Sequence, residues 1–438
     1  MVKDKYTFID LFAGCGGLSF GLIKAGLACK WAIEIDDNAC NTYRFNIGDH
    51  IVCDDVRNIN ADDVPKVDVL VGGFPCQPFS LSGLQGGFDG KDGDLFYQCV
   101  RFISAVQPKV FMLENVAGFA TLKKGLYLDI AITTLQKLGY LVNWQVLDCS
   151  DYSIPQTRKR IIIMGNKLGV ENLYPVPSYK KLSVKEAIDD IWRNPEQFHN
   201  NEPMKHSARI IKRFSYVEPG ETAFDAMRKH PELGSAKITK QCYRRMIADE
   251  PAPTIVANFV TTTIHYSQNR NLTAREAARI QTFPDDFIFQ GYKTRMSWQK
   301  SLSQFEQIGN AVPPKLAELI GECIIKMLNG ESPKAISKQQ PKATQLTLDF
   351  EIDKTVATKN HQLRGKTHSH RGRNSKYSTI YSMCETIADG ESFVLPDDID
   401  TDFFTFVKGA MRRRNIEYQI VEKDGKKIFV RKGLIQGI

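Results

Sequence analysis

Short apolar runs and amphipathic stretches alternate along the first 165 residues. The apolar runs predict strands at 7–11, 28–35, 50–53, 67–71, 110–113, 140–147 and 160–164. The amphipathic stretches predict helices ending near residue 25, at 37–45 and at 126–138. Strands that alternate with helices form a mostly parallel sheet, because parallel neighbours need a crossover connection. We therefore predict an α/β fold with a doubly wound sheet.

The regular pattern ends near residue 165. Residues 167–271 are rich in proline and polar residues and have no clear period, which predicts a smaller, irregular second domain. Helices return at 273–281, where Thr273 and Glu276 have the spacing of a capping box, and at 314–328. We therefore predict a first domain at 1–166, a second at 167–271, and helices at 272–330 that return to the first domain.

The C-terminal part has a different composition. Residues 331–376 are rich in Ser, Lys, Gln, Thr and Pro, which is typical of a linker. Order is predicted to return in a small α+β module at 377–438. Its predicted elements are a strand at 392–395, a helix at 402–413, and a hairpin whose strands lie at 418–421 and 427–430.

Composition narrows the classes of protein that fit. The 438 residues are 42% hydrophobic and carry a net charge of +8, which is compatible with a polyanionic partner. No apolar stretch is long enough for a membrane span, and the polar N-terminus does not resemble a signal peptide. The ten cysteines contain no CxxC pair, so we expect neither a metal site nor a disulfide framework, and we expect a cytoplasmic protein.

The segment 74–80 (FPCQPFS) directly follows a predicted strand. It places Cys76 at the carboxyl end of that strand, between Pro75 and Pro78, which restrict the backbone. A rigidly held thiol at this place suits a nucleophile, although a buried structural cysteine is the alternative. Glu114 ends the next predicted strand and would lie close to Cys76, unless it is an ordinary strand-end acid.

The first predicted strand ends in the glycine-rich segment 10–17 (DLFAGCGG). It lacks the GxGxxG spacing of dinucleotide sites, which favours a nucleoside cofactor without a pyrophosphate over a simple packing turn. Glu34, at the end of the second strand, could accept hydrogen bonds from ribose hydroxyls, and Asp54 or Asp55 from an adenine amino group. S-adenosylmethionine fits this set of residues, since its sulfonium suits nearby acids and the ring of Phe12.

Basic residues form three groups that a nucleic acid could contact or that could equally be solvated surface. They are Arg158 to Arg160, Arg244 with Arg245, and Arg412 to Arg414. In the first group, strand alternation would place Arg158 and Arg160 on one face.

Six motifs together resemble the cytosine-C5 DNA methyltransferase family. In chain order they lie at 10–17, 74–80, 114–116 (ENV), 156–160 (QTRKR), 272–284 and 307–313 (QIGNAVP). The resemblance extends from about residue 7 to about residue 327. It implies an α/β fold of the S-adenosylmethionine-dependent methyltransferase type. It also implies methyl transfer to C5 of cytosine in double-stranded DNA.

The resemblance also implies roles for individual residues. Cys76 would attack C6 of a cytosine flipped out of the duplex, and Glu114 would contact N3 and the exocyclic amine. Arg158 and Arg160 would orient the base and contact phosphate. Residues 1–166 would be the catalytic and cofactor-binding domain. The implied cofactor residues are Asp10, Phe12, Ala13, Gly14, Gly16, Gly17, Glu34, Ile35, Asp55, Pro75, Asn310 and Ala311.

For DNA, the resemblance implies a mobile loop at 80–94 and a target-recognition domain at 167–271. The residues expected to contact DNA are Gln77, Ser80, Ser82, Gln85, Lys240, Arg244 and Arg245.

We expect a monomer, either free-standing or accompanied by a cognate restriction endonuclease. Gln345 to Phe350 (QLTLDF) resembles peptides that bind bacterial sliding clamps, unless it is an incidental apolar patch. We further expect residues 377–438 to form an accessory DNA-contact module. Two alternative functions remain open at this point: an RNA cytosine methyltransferase with the same core, and a non-catalytic DNA-binding regulator.

Overall fold

The computed structural model describes residues 6–75, 93–233 and 242–333, together with the backbone of three strands between 392 and 434. It divides the chain into two compact units, Met1–Ala335 and Ile336–Ile438. The predicted clamp-binding peptide at 345–350, the predicted helix at 402–413 and the basic group at 412–414 lie outside the described residues.

The predicted α/β pattern is confirmed over the first 166 residues. The strands of the larger unit are β1 (Thr7–Leu11), β2 (Ala28–Glu34), β3 (Ile51–Cys53), β4 (Val69–Gly72), β5 (Val110–Val116), β6 (Leu141–Asp148), β7 (Lys159–Asn166), β8 (Arg244–Arg245) and β9 (Thr263–Ile264). The helices are α1 (Gly17–Ala25), α2 (Asp37–Asn46), α3 (Gly93–Val106), α4 (Leu126–Lys137), α5 (Val184–Arg193), α6 (Ala208–Phe214), α7 (Ala223–Lys229), α8 (Ala274–Ile280), α9 (Gln304–Asn310) and α10 (Pro314–Leu328).

One seven-stranded sheet organises this unit, in the order β3-β2-β1-β4-β5-β7-β6. The first five strands of that order pair in parallel, and β7 is antiparallel to both β5 and β6. The register pairs Leu11 with both Ile33 and Gly72, and Gly72 in turn with Leu113. The carboxyl ends of β2, β1, β4 and β5 therefore lie along one edge of the sheet.

Both faces of the sheet are buried. On β1 and β4, Ile9 and Leu70 belong to one hydrophobic cluster, which includes residues of α3 and α4. The alternate residues Phe8 and Val69 belong to a second cluster, which includes residues of α1 and α10. Because successive side chains of a strand point to opposite faces, this division shows that helices cover the sheet on both sides.

Two helices of the structure, α3 and α9, were not predicted from the sequence. Helix α3 begins at Gly93, so the predicted loop at 80–94 ends in a helix. Helix α9 ends at Asn310 and carries part of the motif at 307–313. Both helices start next to polar or glycine-rich segments, and such segments hide a short amphipathic period from a reading of the sequence alone.

The region from 167 to 271 contains more regular structure than its composition suggested. Helix α5 begins with a capping box in which Ser183 and Glu186 each bind the other's main chain. Its residues Val184 and Ile188 pack in one cluster with Ala277 and Ile280 of α8. The prediction of a region without periodicity was therefore wrong for α5, whose apolar period spans only ten residues.

The smaller unit contains a three-stranded antiparallel sheet. Its strands are β10 (Ser392–Val394), β11 (Ile416–Lys423) and β12 (Lys426–Leu434), with β12 in the centre. Strand β11 pairs antiparallel with β12, and Lys423 pairs with Lys426, which agrees with the predicted hairpin. Among the described residues, no helix combines the length and apolar character needed to cross a bilayer.

Helices α1 and α10 approach closely because both carry glycine at their contact. A Cβ placed on Gly21 would lie 2.2 Å from the carbonyl oxygen of Pro314 and 2.5 Å from Cβ of Ala317. On the other helix, a Cβ on Gly321 would lie 2.7 Å from Cβ of Ala25. Main-chain atoms cannot move aside as a flexible side chain can, so this contact has no room for a methyl group.

We predict that Gly21→Ala lowers the free energy of unfolding by about 1–3 kcal/mol, because the methyl group forces α1 and α10 apart. Denaturant titration of the full chain measures the change. Gly118→Ala is the matched control, since a Cβ there meets no heavy atom within 4 Å. Equal stabilities of the two variants would show that the contact between α1 and α10 is not tightly packed.

Candidate active site

The loop after β1 lies at the sheet edge where the parallel strands end. Phe12 adopts a φ of 61°, which is rare for a bulky residue, and Gly14 and Gly16 also have positive φ. A Cβ on Gly16 would lie 2.3 Å from Cδ1 of Ile47, and one on Gly17 would lie 2.4 Å from the carbonyl oxygen of Val312. A Cβ on Gly14 would meet no heavy atom within 4 Å, so that side of the loop is open to a ligand.

Glu34, which ends β2, holds this loop in place. Its carboxylate accepts hydrogen bonds of 2.9 Å from the main-chain N–H groups of Gly14, Ile35 and Asp36. Burial is the main cause that raises the pKa of Glu34. A carboxylate offers about four acceptor sites, so three main-chain bonds leave capacity for one ligand hydroxyl. The position fits the predicted contact to a ribose, and the exposed side chain of Ile35 lies next to it.

Asp10 is buried beneath the same loop. Its Oδ2 accepts a hydrogen bond of 2.6 Å from Ser19, while Oδ1 has no partner among the described residues. The hydroxyl of Tyr43 donates to Ser19 Oγ and lies 3.0 Å from Nε2 of His50. Burial raises the pKa of Asp10 to about 7, and the nearby charge of Glu34 adds to the increase. Asp10 therefore links the end of β1 to Ser19 in the first turn of α1, on either side of the loop.

Asp55 lies at the same edge, one strand further out. It caps a short helical turn by accepting from the main-chain N–H of Arg57, and it also pairs with the Arg57 guanidinium. The hydrogen bond from this guanidinium is the main cause that lowers the pKa of Asp55. Asp54 instead binds the side chain of Asn58. Any bond from Asp55 to an adenine amino group would have to share its carboxylate with Arg57.

The turn that follows α9 lies against the glycine-rich loop after β1. A Cβ on Gly17 would lie 3.3 Å from Cβ of Ala311. Asn310 is exposed, and Ala311 is half-buried. The structure therefore brings Gly17, Asn310 and Ala311 together, although about 290 residues separate them in the sequence.

The predicted nucleophile lies just beyond a well-anchored segment. Cys76 is outside the described residues, because the first described range ends at Pro75. The same holds for Gln77, Ser80, Ser82 and Gln85. Phe74 packs against Phe96 and Phe119, and its carbonyl accepts a 3.1 Å bond from the side chain of Asn115. This anchoring fixes the point from which the Cys76 loop leaves the sheet.

Glu114 lies beside Gly73, the residue before Phe74. A Cβ on Gly73 would be 3.4 Å from Oε2 of Glu114, while Oε1 forms a 2.8 Å ion pair with Nε of Arg160. Both side chains of the pair are nearly buried, with 11% and 12% exposure. The pair joins β5 to β7, which are neighbours in the sheet. Charge-assisted hydrogen bonds at such low exposure hold a carboxylate firmly in one orientation.

The prediction that Arg158 contacts phosphate does not agree with its burial. Arg158 is 2% exposed. Its guanidinium donates to the main-chain oxygens of Ile255, Gly309 and Ala311. The main-chain oxygen of Arg158 accepts a 2.9 Å hydrogen bond from the N–H of Cys149, which continues the pairing of β6 with β7. The expectation that Arg158 and Arg160 share a face therefore stays a prediction.

Arg245 also differs from its predicted role as a DNA contact. It is 6% exposed, and its guanidinium donates to the carbonyls of Phe214, Val217 and His265 and to other groups nearby. With its donors used in this way, Arg245 stabilises the irregular region rather than presenting a charge to DNA. Arg244 remains exposed, and Lys240 lies outside the described residues.

Sequence reasoning missed the partners that hold the site residues. Ser19 donates a hydrogen bond to Asp10, and Tyr43 donates to Ser19. Asn115 donates to the carbonyl of Phe74. No spacing along the sequence relates Tyr43 to Asp10, because α1, β2 and a turn separate them. The short motif at 114–116 contained the only signal for Asn115.

Comparison with known proteins agrees with this arrangement. The model of the C-5 cytosine-specific DNA methylase family matches residues 6–326. The chain is 37% identical over 366 residues to Type II methyltransferase M.DdeI of Desulfomicrobium norvegicum, covering 73% of this chain and 88% of that protein. It is 39% identical over 353 residues to Type II methyltransferase M.PspPI of a Psychrobacter species, covering 76% and 82%.

A solved structure supports the same conclusion. A DNA modification methyltransferase encoded within an Escherichia coli prophage is 26% identical, with a TM-score of 0.59, and the match covers 74% of this chain and all of that one. The site and the fold thus define an α/β methyltransferase. The chain belongs to the C-5 cytosine-specific DNA methylase family, and the resemblance seen in its motifs is confirmed. It is a DNA (cytosine-5-)-methyltransferase, and both fold and family are consistent with S-adenosylmethionine as the methyl donor.

We predict that Asp10→Asn becomes more stable relative to the wild type as the pH rises. A carboxyl group whose pKa is raised in the folded state from 3.8 to about 7 stabilises the fold fully only below the lower value. That stability is lost as the pH rises towards 7. Asn keeps an acceptor for Ser19 and does not ionise. The difference in free energy of unfolding should shift by roughly 2 kcal/mol in favour of Asp10→Asn between pH 5 and pH 7.

Urea unfolding at pH 5, 6, 7 and 8 measures this shift, which should level off above pH 7. Asp62→Asn, which removes an exposed carboxylate, is the control and should show no comparable shift. A difference between Asp10→Asn and the wild type that does not change with pH would mean that Asp10 titrates normally.

Proposed function

We propose that this enzyme flips a cytosine out of duplex DNA and methylates C5 through a covalent bond between Cys76 and C6. The observation that carries the proposal is the ion pair of Glu114 with Arg160, which lies beside Gly73 where the Cys76 loop leaves β4. A buried, oriented carboxylate at this point would face a base held against Cys76.

The chemistry explains why these groups are needed. Cytosine C5 is a weak nucleophile, so the Cys76 thiolate first adds to C6 and makes C5 enamine-like. When bound at the proposed site, S-adenosylmethionine would supply the electrophilic methyl group that C5 accepts, with a neutral thioether as the leaving group. A base then removes the proton from C5, and elimination breaks the bond between sulfur and C6. The thiolate is thereby regenerated, and 5-methylcytosine is released.

Glu114 and Arg160 would act on the opposite edge of the base. Glu114 would hydrogen-bond to N3 and to the exocyclic amine, which stabilises the charge that develops on the ring when C6 is attacked. Arg160 would hold the Glu114 carboxylate in the correct orientation and contact the base from the same side.

The cofactor loop fits a nucleoside that carries a sulfonium group. Gly14 leaves open space, Glu34 keeps acceptor capacity for a hydroxyl, and Oδ1 of Asp10 has no partner among the described residues. The full set that would hold the cofactor is Asp10, Phe12, Ala13, Gly14, Gly16, Gly17, Glu34, Ile35, Asp55, Pro75, Asn310 and Ala311.

The family supports DNA as the substrate, and we propose that this DNA is double-stranded. We propose that residues 1–166, with the helices at 272–330, form the catalytic domain, and that 167–271 read the target sequence. Gln77, Ser80, Ser82, Gln85, Lys240 and Arg244 are the proposed DNA contacts, and Arg245 is withdrawn from that set. Residues 331–376 would be a linker to an accessory DNA-contact module at 377–438, and Gln345 to Phe350 would bind a sliding clamp.

The names of the relatives support a setting for the activity. M.DdeI and M.PspPI are Type II methyltransferases. We propose that this chain likewise acts in a restriction-modification system, as a monomer in the cytoplasm, and that any cognate endonuclease is a separate protein.

We predict that Cys76→Ser abolishes DNA methylation, because a serine hydroxyl is far less ionised than a thiol at neutral pH and adds poorly to C6. Bisulfite sequencing of DNA from cells that express each variant measures the modified base and its sequence context together. Cys323→Ser, on α10, is the matched control and should methylate as the wild type does. Wild-type levels of 5-methylcytosine with Cys76→Ser would overturn the mechanism.

We predict that Glu114→Gln lowers kcat by about 10²–10⁴-fold, because the amide cannot share a proton with N3 as a carboxyl group can. The affinity for DNA should change by only a few-fold. Single-turnover transfer of a tritiated methyl group measures kcat, and filter binding measures affinity. A variant that retains most of its kcat would show that Glu114 only holds Arg160 in place.

A further inference from the structure

The segment 156–158 makes buried contacts with distant main chain, and these contacts do not involve the ion pair of Glu114 with Arg160. Arg158 binds two chain segments that are far apart in sequence. Its Nη1 lies 2.7 Å from the carbonyl oxygen of Ile255, and its Nη2 lies 3.1 Å from those of Gly309 and Ala311. The guanidinium therefore holds the main chain at 255 and at 309–311 together.

Gln156 completes this arrangement. Its Oε1 accepts a 2.8 Å bond from the N–H of Ile255, and its Nε2 donates to Oε1 of Gln281. Gln281 in turn donates to the carbonyl of Ile308. Both polar main-chain groups of Ile255 are thus bound by residues of one short segment. We call Gln156 and Arg158, with the main-chain groups that they bind directly or through Gln281, the buried clasp.

The buried clasp joins regions to which separate roles are proposed. Ile255 lies near the end of the proposed recognition region, and Ala311 belongs to the turn proposed to hold the cofactor. The two regions touch, since a Cβ on Gly309 would lie 2.3 Å from the carbonyl carbon of Val256. Arg160, two residues after Arg158, binds Glu114.

Arg158 remains a cation in this environment. Burial lowers its pKa to about 9, and the neighbouring charge of Arg160 contributes to the decrease. At neutral pH the guanidinium is therefore protonated and donates to all three carbonyls. If it is removed, these buried oxygens lose their charged donor, and the turn at 309–311 can shift away from Gly17.

We propose that Arg158 is a positioning residue that fixes the turn at 309–311 against the cofactor loop and thereby sets the affinity for the cofactor. This inference rests on the proposed cofactor site, and it replaces the predicted contact of Arg158 with phosphate. Because the same guanidinium binds Ile255, this part of the proposed recognition region keeps a fixed position relative to the turn at 309–311.

The chain offers a matched control in Arg275. Its side chain is also fully buried, and it also donates to three main-chain oxygens, those of His199, Pro284 and Phe287. None of these three residues belongs to the proposed cofactor site. A purely structural arginine should therefore behave like Arg275.

The experiment compares Arg158→Met with Arg275→Met in the full-length protein. Isothermal titration with S-adenosylhomocysteine, which cannot transfer a methyl group, measures the dissociation constant without DNA. Denaturant unfolding ranks stability. We expect both variants to lose stability and Arg158→Met alone to weaken S-adenosylhomocysteine binding by about tenfold or more. Arg158→Lys, which keeps the charge, should recover part of that loss.

Two results would overturn the proposal. Equal affinities of the two methionine variants would give Arg158 a purely structural role. Unchanged cofactor affinity, together with a smaller salt dependence of DNA binding, would restore the phosphate contact. If either methionine variant fails to fold by circular dichroism, the Arg158→Lys and Arg275→Lys pair gives the same comparison. Failure of the proposed function itself would appear separately, as absent methylation by a wild-type protein that still binds S-adenosylhomocysteine.

Discussion

The register of the parallel strands is the constraint on which the rest of the site depends. Because Leu11, Ile33, Gly72 and Leu113 are aligned across four strands, the residues that follow each of them meet at one edge. Four features are therefore neighbours although they are far apart in the sequence: the glycine-rich loop after β1, Glu34, the start of the segment that carries Cys76, and Glu114. Open α/β sheets bind ligands at this edge for the same reason.

The regions without regular secondary structure depend on buried arginines. Where a chain lacks helix or strand partners, its buried carbonyls still need donors. Arg158, Arg245 and Arg275 supply them, and each binds three or more main-chain oxygens. Arginine suits this use because its planar guanidinium carries five donors and stays charged when buried. Two of these arginines looked like DNA contacts in the sequence, where only their charge was visible.

The sequence predicted the sheet better than the connections around it. Strands β1, β4, β5 and β7 agree with the apolar runs to within about three residues, because burial on both faces makes a strand continuously apolar. Helix α8 agreed because Thr273 and Glu276 form a capping box. Helix α5 carries the same signal at Ser183 and Glu186, but its proline-rich and polar surroundings obscured a period of ten residues.

The sequence by itself determined the fold class and the family, since its motifs keep their order along the chain, and it supplied the proposal for the reacting groups. Tertiary structure decided which partners the side chains of one motif bind. Arg158 and Arg160 are two residues apart and have the same charge, yet one is buried against main-chain carbonyls while the other pairs with Glu114. Residue type could not separate them, because the carbonyls of Ile255, Gly309 and Ala311 reach Arg158 only when segments far apart in the sequence fold together.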